Sequence, residues 1–415
     1  MKYLWGVLFL LLSTQLAGQA VTFNRDVLPI LQEHCQDCHR PGGANLGGMV
    51  APMSFITYEE TRQWASVIKW SVQSRSMPPW HASPEQHGVF ANERVLSEEE
   101  IGILSLWADT GAPRGNPADA PRPVAFPDTS GWSFEPDLII RMPEPYLVRD
   151  NVGDEYIDFD VVITEDILPE PRWVKAVEIR PGSSAVHHII APPLGGIAPG
   201  TENLAFPPGY ARLLWPGATV TFQMHYNKLP GPGTAVLDQS EIGVQFYEEG
   251  EEINYFVETE SMGMFSFIIP PGEPNYSSSI SYTLEDDMQI LWLTPHMHLR
   301  GKSARYVAVF PDGREQLLLH IPRYDFDWQH SYIFKEPVLA PKGTRVELTM
   351  WWDNSAGNPD NPDPDSWVFW GRPTTSEMGF GWMTMVPATP RHLVAGDPIP
   401  DDLPEPRPIF RPPWQ

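Results

Sequence analysis

Only two cysteines occur in 415 residues, and both stand in one short motif, Cys35-Gln36-Asp37-Cys38-His39. C-x-x-C-H is the pattern by which two thiols add to the vinyl groups of a c-type haem, with the adjacent imidazole becoming an axial iron ligand. A zinc site would need two further ligands close by, and a redox pair would have no use for His39. Committing both thiols to one haem leaves the chain without disulfides. Its domains must then be held by ordinary hydrophobic cores and by metals.

Residues 1–20 read as an export signal: Lys2, a short apolar run over 4–12, and Gly18-Gln19-Ala20 as a small-residue cleavage site. The apolar run is too short for a comfortable membrane span. Covalent haem attachment also belongs to an oxidising compartment outside the cytoplasm, so the expected location is the periplasm. The net charge of −25 disfavours nucleic acid and anionic membrane surfaces as partners. The length is too great for one core. Forty-six prolines, about twice the ordinary share, accompany 16 tryptophans, a combination that points to many short strands and loops rather than disorder.

Residues 21–113 carry helical grammar. Thr57-Tyr58-Glu59-Glu60 and Ser97-Glu98-Glu99-Glu100 are capping boxes. Trp64, Val67, Ile68 and Val72 follow the first at helical spacing, and Ile101, Leu104, Trp107 and Ala108 follow the second. The expected sixth iron ligand is Met77, on the proline-stiffened loop Met77-Pro78-Pro79-Trp80; His81, His87, Met49 and Met53 compete for the role. This loop, followed by a capped helix ending W-x-D-x-G-A-P, resembles a group of bacterial monohaem cytochrome c domains. A thioether ligand raises the haem potential, which suits electron transfer.

From about residue 132 the pattern changes to period two, with strand signatures over 156–163, 173–179 and 219–226 and a hairpin turn at Pro311-Asp312-Gly313. Histidines cluster in this half. His187 and His188 are adjacent, and His225 lies on the polar face of its strand. His296 and His298 flank Met297, so both imidazoles point to the same side of an extended chain. The adjacent pair faces opposite sides of a regular strand, so joint ligation requires a bulge or a strand end. Imidazole-rich sites suit copper or zinc, and an added thioether shifts the preference to copper.

The histidine pattern, Arg300-Gly301 after it, the Asp353-Asn354-Ser355, Asn358-Pro359 and Asn361-Pro362 loop and Glu377-Met378 resemble the copper type II, ascorbate-dependent monooxygenases, over roughly 135–388. The resemblance implies that His187, His188 and His225 hold an electron-transferring copper. It implies that His296, His298 and Met378 hold the copper that meets oxygen. It further implies that each copper sits in its own β-sandwich, with an open solvent-filled cleft between them.

The expected fold class is therefore a small all-α cytochrome c domain (21–113), a linker (114–131) and two jelly-roll-like all-β sandwiches (132–262 and 263–388), then a proline-rich tail (389–415). The expected cofactors are one haem c and two coppers. The expected function is O2-dependent hydroxylation of a C–H bond in a small organic substrate, with electrons entering through the haem from a periplasmic donor. A non-catalytic electron-transfer or copper-binding protein is the alternative. The acidic 353–365 loop reads as successive turns rather than a calcium site. His320, His330 and His392 match no ligand position. Where peptide-amidating relatives carry a carboxylate-binding arginine and a substrate-binding tyrosine, this chain has Thr294 and Trp382, which point to a less charged, aromatic or aliphatic substrate.

Overall fold

A computed structural model describes residues 20–43, 50–126, 131–200, 206–400 and 403. The expected export signal, apart from Ala20, most of the tail and the candidate ligand Met49 lie outside the described residues.

The expected fold class requires correction. The chain is predominantly β, and its described α-helices are four short ones: Leu28–His34, Tyr58–Arg62, Ala65–Gln73 and Glu98–Asp109. Both capping boxes form, with Thr57 and Ser97 accepting from the backbone N–H of Glu60 and Glu100. The helices enclose a small core around Phe23, Leu31, Leu104 and Trp107. That core does not make 21–113 an all-α domain, because residues 80–92 leave it. Trp80, Ala82 and Phe90 pack in the core of the C-terminal β half. Phe90 bridges Phe334, Ser83 N–H donates to His320 O, and Ala91 N–H donates to Ile333 O. The physical reason is burial: Phe90 loses all its exposure there, a gain that the thin helical cluster does not provide.

Four principal sheets of four or five strands make up the rest. One core draws on Ile179, Val244, Ile189 and Phe222, and a second on Ile290, Met383, Tyr306 and Leu348. Neither β half is closed off from the other. Gln329 N–H donates to Pro199 O, and Arg372 makes a two-pronged ion pair with Asp158 at 2.5 and 3.0 Å. Leu393–Val394, placed by the sequence in the tail, pairs with Glu252–Ile253. The histidines lie where these sheets meet.

Candidate functional site: a histidine cluster between the β halves

The adjacent pair His187-His188 resolves its geometric difficulty through a bulge. Strand Val186–Ala191 pairs with Thr219–Asn227 so that Val186 faces Tyr226 and His188 faces His225, with the register shifting between them. The extra residue, His187, turns its ring towards the same side. Ring centroids of His187 and His188 then lie 4.8 and 4.7 Å from that of His225. On the other half, His296 and His298 share one side of Met288–Met297 and its continuation, 5.3 Å apart. The two groups meet: His188 stands edge-on to His296 at 5.7 Å. The open cleft implied by the resemblance therefore does not separate them, and the five imidazoles form one continuous cluster.

Orientation comes from their outer nitrogens. His225 Nε2 bonds Asp154 Oδ1 at 2.6 Å, His296 Nδ1 bonds Gln329 Oε1 at 2.6 Å, and His298 Nδ1 bonds Ser376 O at 3.3 Å. Stacked aromatics hold the planes: Tyr156 on His225 at 4.0 Å and Phe326 on His187 at 4.6 Å. The other nitrogens are left over. His187 Nε2, both nitrogens of His188, His225 Nδ1 and His298 Nε2 are buried without a hydrogen-bond partner. Orphaned buried nitrogens are costly unless something else completes them. An outer nitrogen fixed by a carboxylate, amide or carbonyl, with the inner one free, is the arrangement of imidazoles that ligate a metal.

Burial pushes all five imidazoles below their ordinary range, His187 to about 3 and His296 to about 4, so at neutral pH they present lone pairs. Burial works against ionisation of Asp154, yet the His225 hydrogen bond holds its carboxyl at about 2. Among the described residues the ligand atoms of Glu33, His34 and Glu100 lie within 4.8 Å of one another; the histidine cluster is wider than that. Glu100 is already committed to the Ser97 capping box, which accounts for the acidic group without a metal.

Met378 is buried next to this cluster in sequence pairing: His296 faces Phe380 and Met297 faces Gly379. Glu377 fixes the approach. Its buried carboxylate accepts from the backbone N–H of His298, Arg300 and Met378 and from Trp352 Nε1. Arg300 in turn donates to Asn354 Oδ1 and Thr375 O. The 353–365 loop turns on itself through Asp353, Asn358, Asn361 and Asp363, each accepting from the N–H two residues on. It thus serves as the brace for Arg300.

The Cys35–His39 segment is built differently. It follows the helix Leu28–His34 as a turn, with His39 N–H donating to Cys35 O and the His39 ring stacked on Phe55 at 4.4 Å. Both cysteines are free thiols, and burial pushes the Cys35 thiol up to about 12. A redox pair needs an accessible thiol shifted the other way, so that reading is disfavoured. His39 Nδ1 is buried without a partner, and burial keeps the ring neutral, which fits a ligand role. Met53 shares the helical core with Cys35, whereas Met77 is half-buried on its loop and is not part of that core. The other competitors are engaged elsewhere. His87 pairs with Glu93, and His81 stacks on His330 in the β half.

Asp154, Tyr156, Phe326, Gln329 and Arg212 were not evident from sequence. Each reaches the site through strand pairing or a loop distant in the chain, and none carries a local spacing signal. A cavity opens beside His188 and His296, with Thr294 and Trp382 in its wall.

Comparison with known proteins adds no family. No family profile matches the chain, and no curated protein matches it. Among solved structures, the infectious bursal disease virus VP2 subviral particle aligns at 10% identity over 62% of this chain and 73% of that one, with a TM-score of 0.20. The structure of the Gx strain of the same virus aligns at 10% identity over 66% and 86%, with a TM-score of 0.16. Likeness at that level carries no argument about fold or function, which therefore rest on the residues themselves.

Proposed function

We propose that this chain is a periplasmic, copper-dependent monooxygenase that hydroxylates a C–H bond of a small organic substrate, and that it resembles the ascorbate-dependent copper enzymes in its ligands. The observation that carries the reading is the cluster of five imidazoles, four of which bury a nitrogen without a partner, beside a largely apolar cavity. His187, His188 and His225 would hold one copper, and His296, His298 and Met378 the other. Bound copper supplies one-electron exchange and a place for O2 to react.

The protein's own groups do the rest. Asp154, Gln329 and the Ser376 carbonyl hold the imidazole planes, while Tyr156 and Phe326 exclude water from their faces. The overall change consumes one O2, two electrons and two protons. One C–H bond is broken and one C–O bond formed, and the second oxygen leaves as water. Cys35, Cys38 and His39 would hold a haem c, with Met77 from its loop or Met53 from the helical core as sixth ligand, and one-electron transfer from a periplasmic donor is the chemistry it would supply.

The test is oxygen uptake by copper-loaded, reduced protein across a panel of small organic compounds under ¹⁸O2. One ¹⁸O per product molecule is expected, with loss of product in Met378→Ala while the haem spectrum is retained. Bound copper with a haem that stays reduced and no oxygen uptake would identify a non-catalytic electron-transfer or copper-binding protein instead.

A further inference from the structure

The cavity beside His188 and His296 contains one fixed positive charge. Arg212 lies on strand Tyr210–Leu214 and lines the cavity. Its guanidinium donates to Pro193 O at 2.8 Å and to Thr259 Oγ1 at 3.0 Å, and it lies 5.6 Å over the Phe206 ring. Among the described residues it has no carboxylate partner, whereas the exposed Arg75, Arg114 and Arg141 each pair with a glutamate. The described cavity lining includes no aspartate or glutamate. Burial lowers the guanidinium to about 10, which still leaves it charged at neutral pH.

A half-buried guanidinium with no carboxylate partner among the described residues is a ready partner for an anionic ligand group, which would complete it with charge-assisted hydrogen bonds. The neighbouring hydroxyls are already matched in pairs, Thr259 with Thr384 and Thr294 with Ser331, so they do not neutralise it. The remaining wall is mostly apolar, with Ile190, Ile197, Phe206 and Trp292. The overall charge of −25 does not oppose a local contact of this kind, since exposed charges are screened beyond about 8 Å at physiological ionic strength.

We propose that the cavity binds an organic monocarboxylate, its carboxylate on Arg212 and its apolar body along Trp292 towards His296. Resting on the monooxygenase reading, this makes the substrate an apolar carboxylic acid, oxidised at a carbon away from the carboxylate. It replaces the less charged substrate inferred from Thr294 and Trp382. The positive group sits on a different strand, in the other β half.

The test is calorimetric titration of the metal-free protein with octanoate and with its neutral isostere octanamide. Octanoate is expected to bind at least tenfold more tightly. Arg212→Met should erase that preference while leaving octanamide binding unchanged, and Arg212→Lys should restore part of it. If Arg212→Met fails to fold, Thr259→Val, which frees one arm of the guanidinium, should selectively weaken octanoate. Equal binding of the two probes, or a preference that survives Arg212→Met, overturns the proposal. Copper content of the same preparations is read separately. Carboxylate preference without copper uptake would sink the monooxygenase reading and leave the pocket standing, and copper uptake without preference would do the reverse.

Discussion

At the β junction, three imidazoles each have one nitrogen tied to Asp154, Gln329 or the Ser376 carbonyl, and His187, His188, His225 and His298 each bury a nitrogen without a partner. In the helical segment, Cys35 is half-buried, with desolvation pushing its thiol up to about 12, and the His39 ring stacks on Phe55. The first arrangement is set by bulge, register and loop brace. The second is a half-buried turn at a helix end. The contrast teaches that the junction's imidazoles are oriented by groups distant in the chain, whereas the Cys35–His39 turn is shaped by groups close in sequence.

The largest effect expected concerns the border between the two regions. Phe90→Ala removes a fully buried ring from the C-terminal β core and should cost about 3–5 kcal/mol in denaturant unfolding. A near-neutral result would restore an independent helical unit and break the comparison.

The seam is tested by acid. Burial holds His330 at about 3, against about 6.5 in the unfolded chain. The native state thus takes up fewer protons than the unfolded state between those values. This contribution to stability is present above pH 6.5 and is lost as pH falls towards about 3, by on the order of a few kcal/mol. His330→Phe should flatten that part of the stability profile, measured by urea midpoints from pH 7 to pH 4; an unchanged slope would show that His330 does not carry it.

Within the junction, Asp154→Ala should lower copper affinity about 10- to 100-fold, because His225 loses the partner that fixes its ring. Competition with a chelator of known affinity measures this, and unchanged affinity would show that the ring is held by Tyr156 alone. The smallest effect belongs to the helical segment. Ser97→Ala removes an N-cap and should cost about 1 kcal/mol in thermal unfolding, with copper affinity unchanged. A change in copper affinity there would show that the two regions are coupled.

What was legible in the sequence was what local spacing determines. The capping boxes at Thr57 and Ser97, the strand periods, the shared side of His296 and His298 and the need for a bulge at His187-His188 follow from residue order and backbone geometry. Phe90 joining Phe334, Asp154 meeting His225 and Arg212 entering the cavity depend on pairings more than 70 residues apart or on sheet packing. The helical motifs were read correctly as helices. The all-α domain drawn from them was not, because where Trp80 and Phe90 bury their rings is a tertiary choice.

The central claim is that the histidine cluster is a copper centre. Copper K-edge absorption on protein loaded to saturation, with metal content measured in parallel, tests it most directly. Two coppers per chain with mainly imidazole nitrogen scattering and a sulfur contribution that disappears in Met378→Ala are predicted. Less than one copper per chain, or scattering without imidazole, would contradict the account.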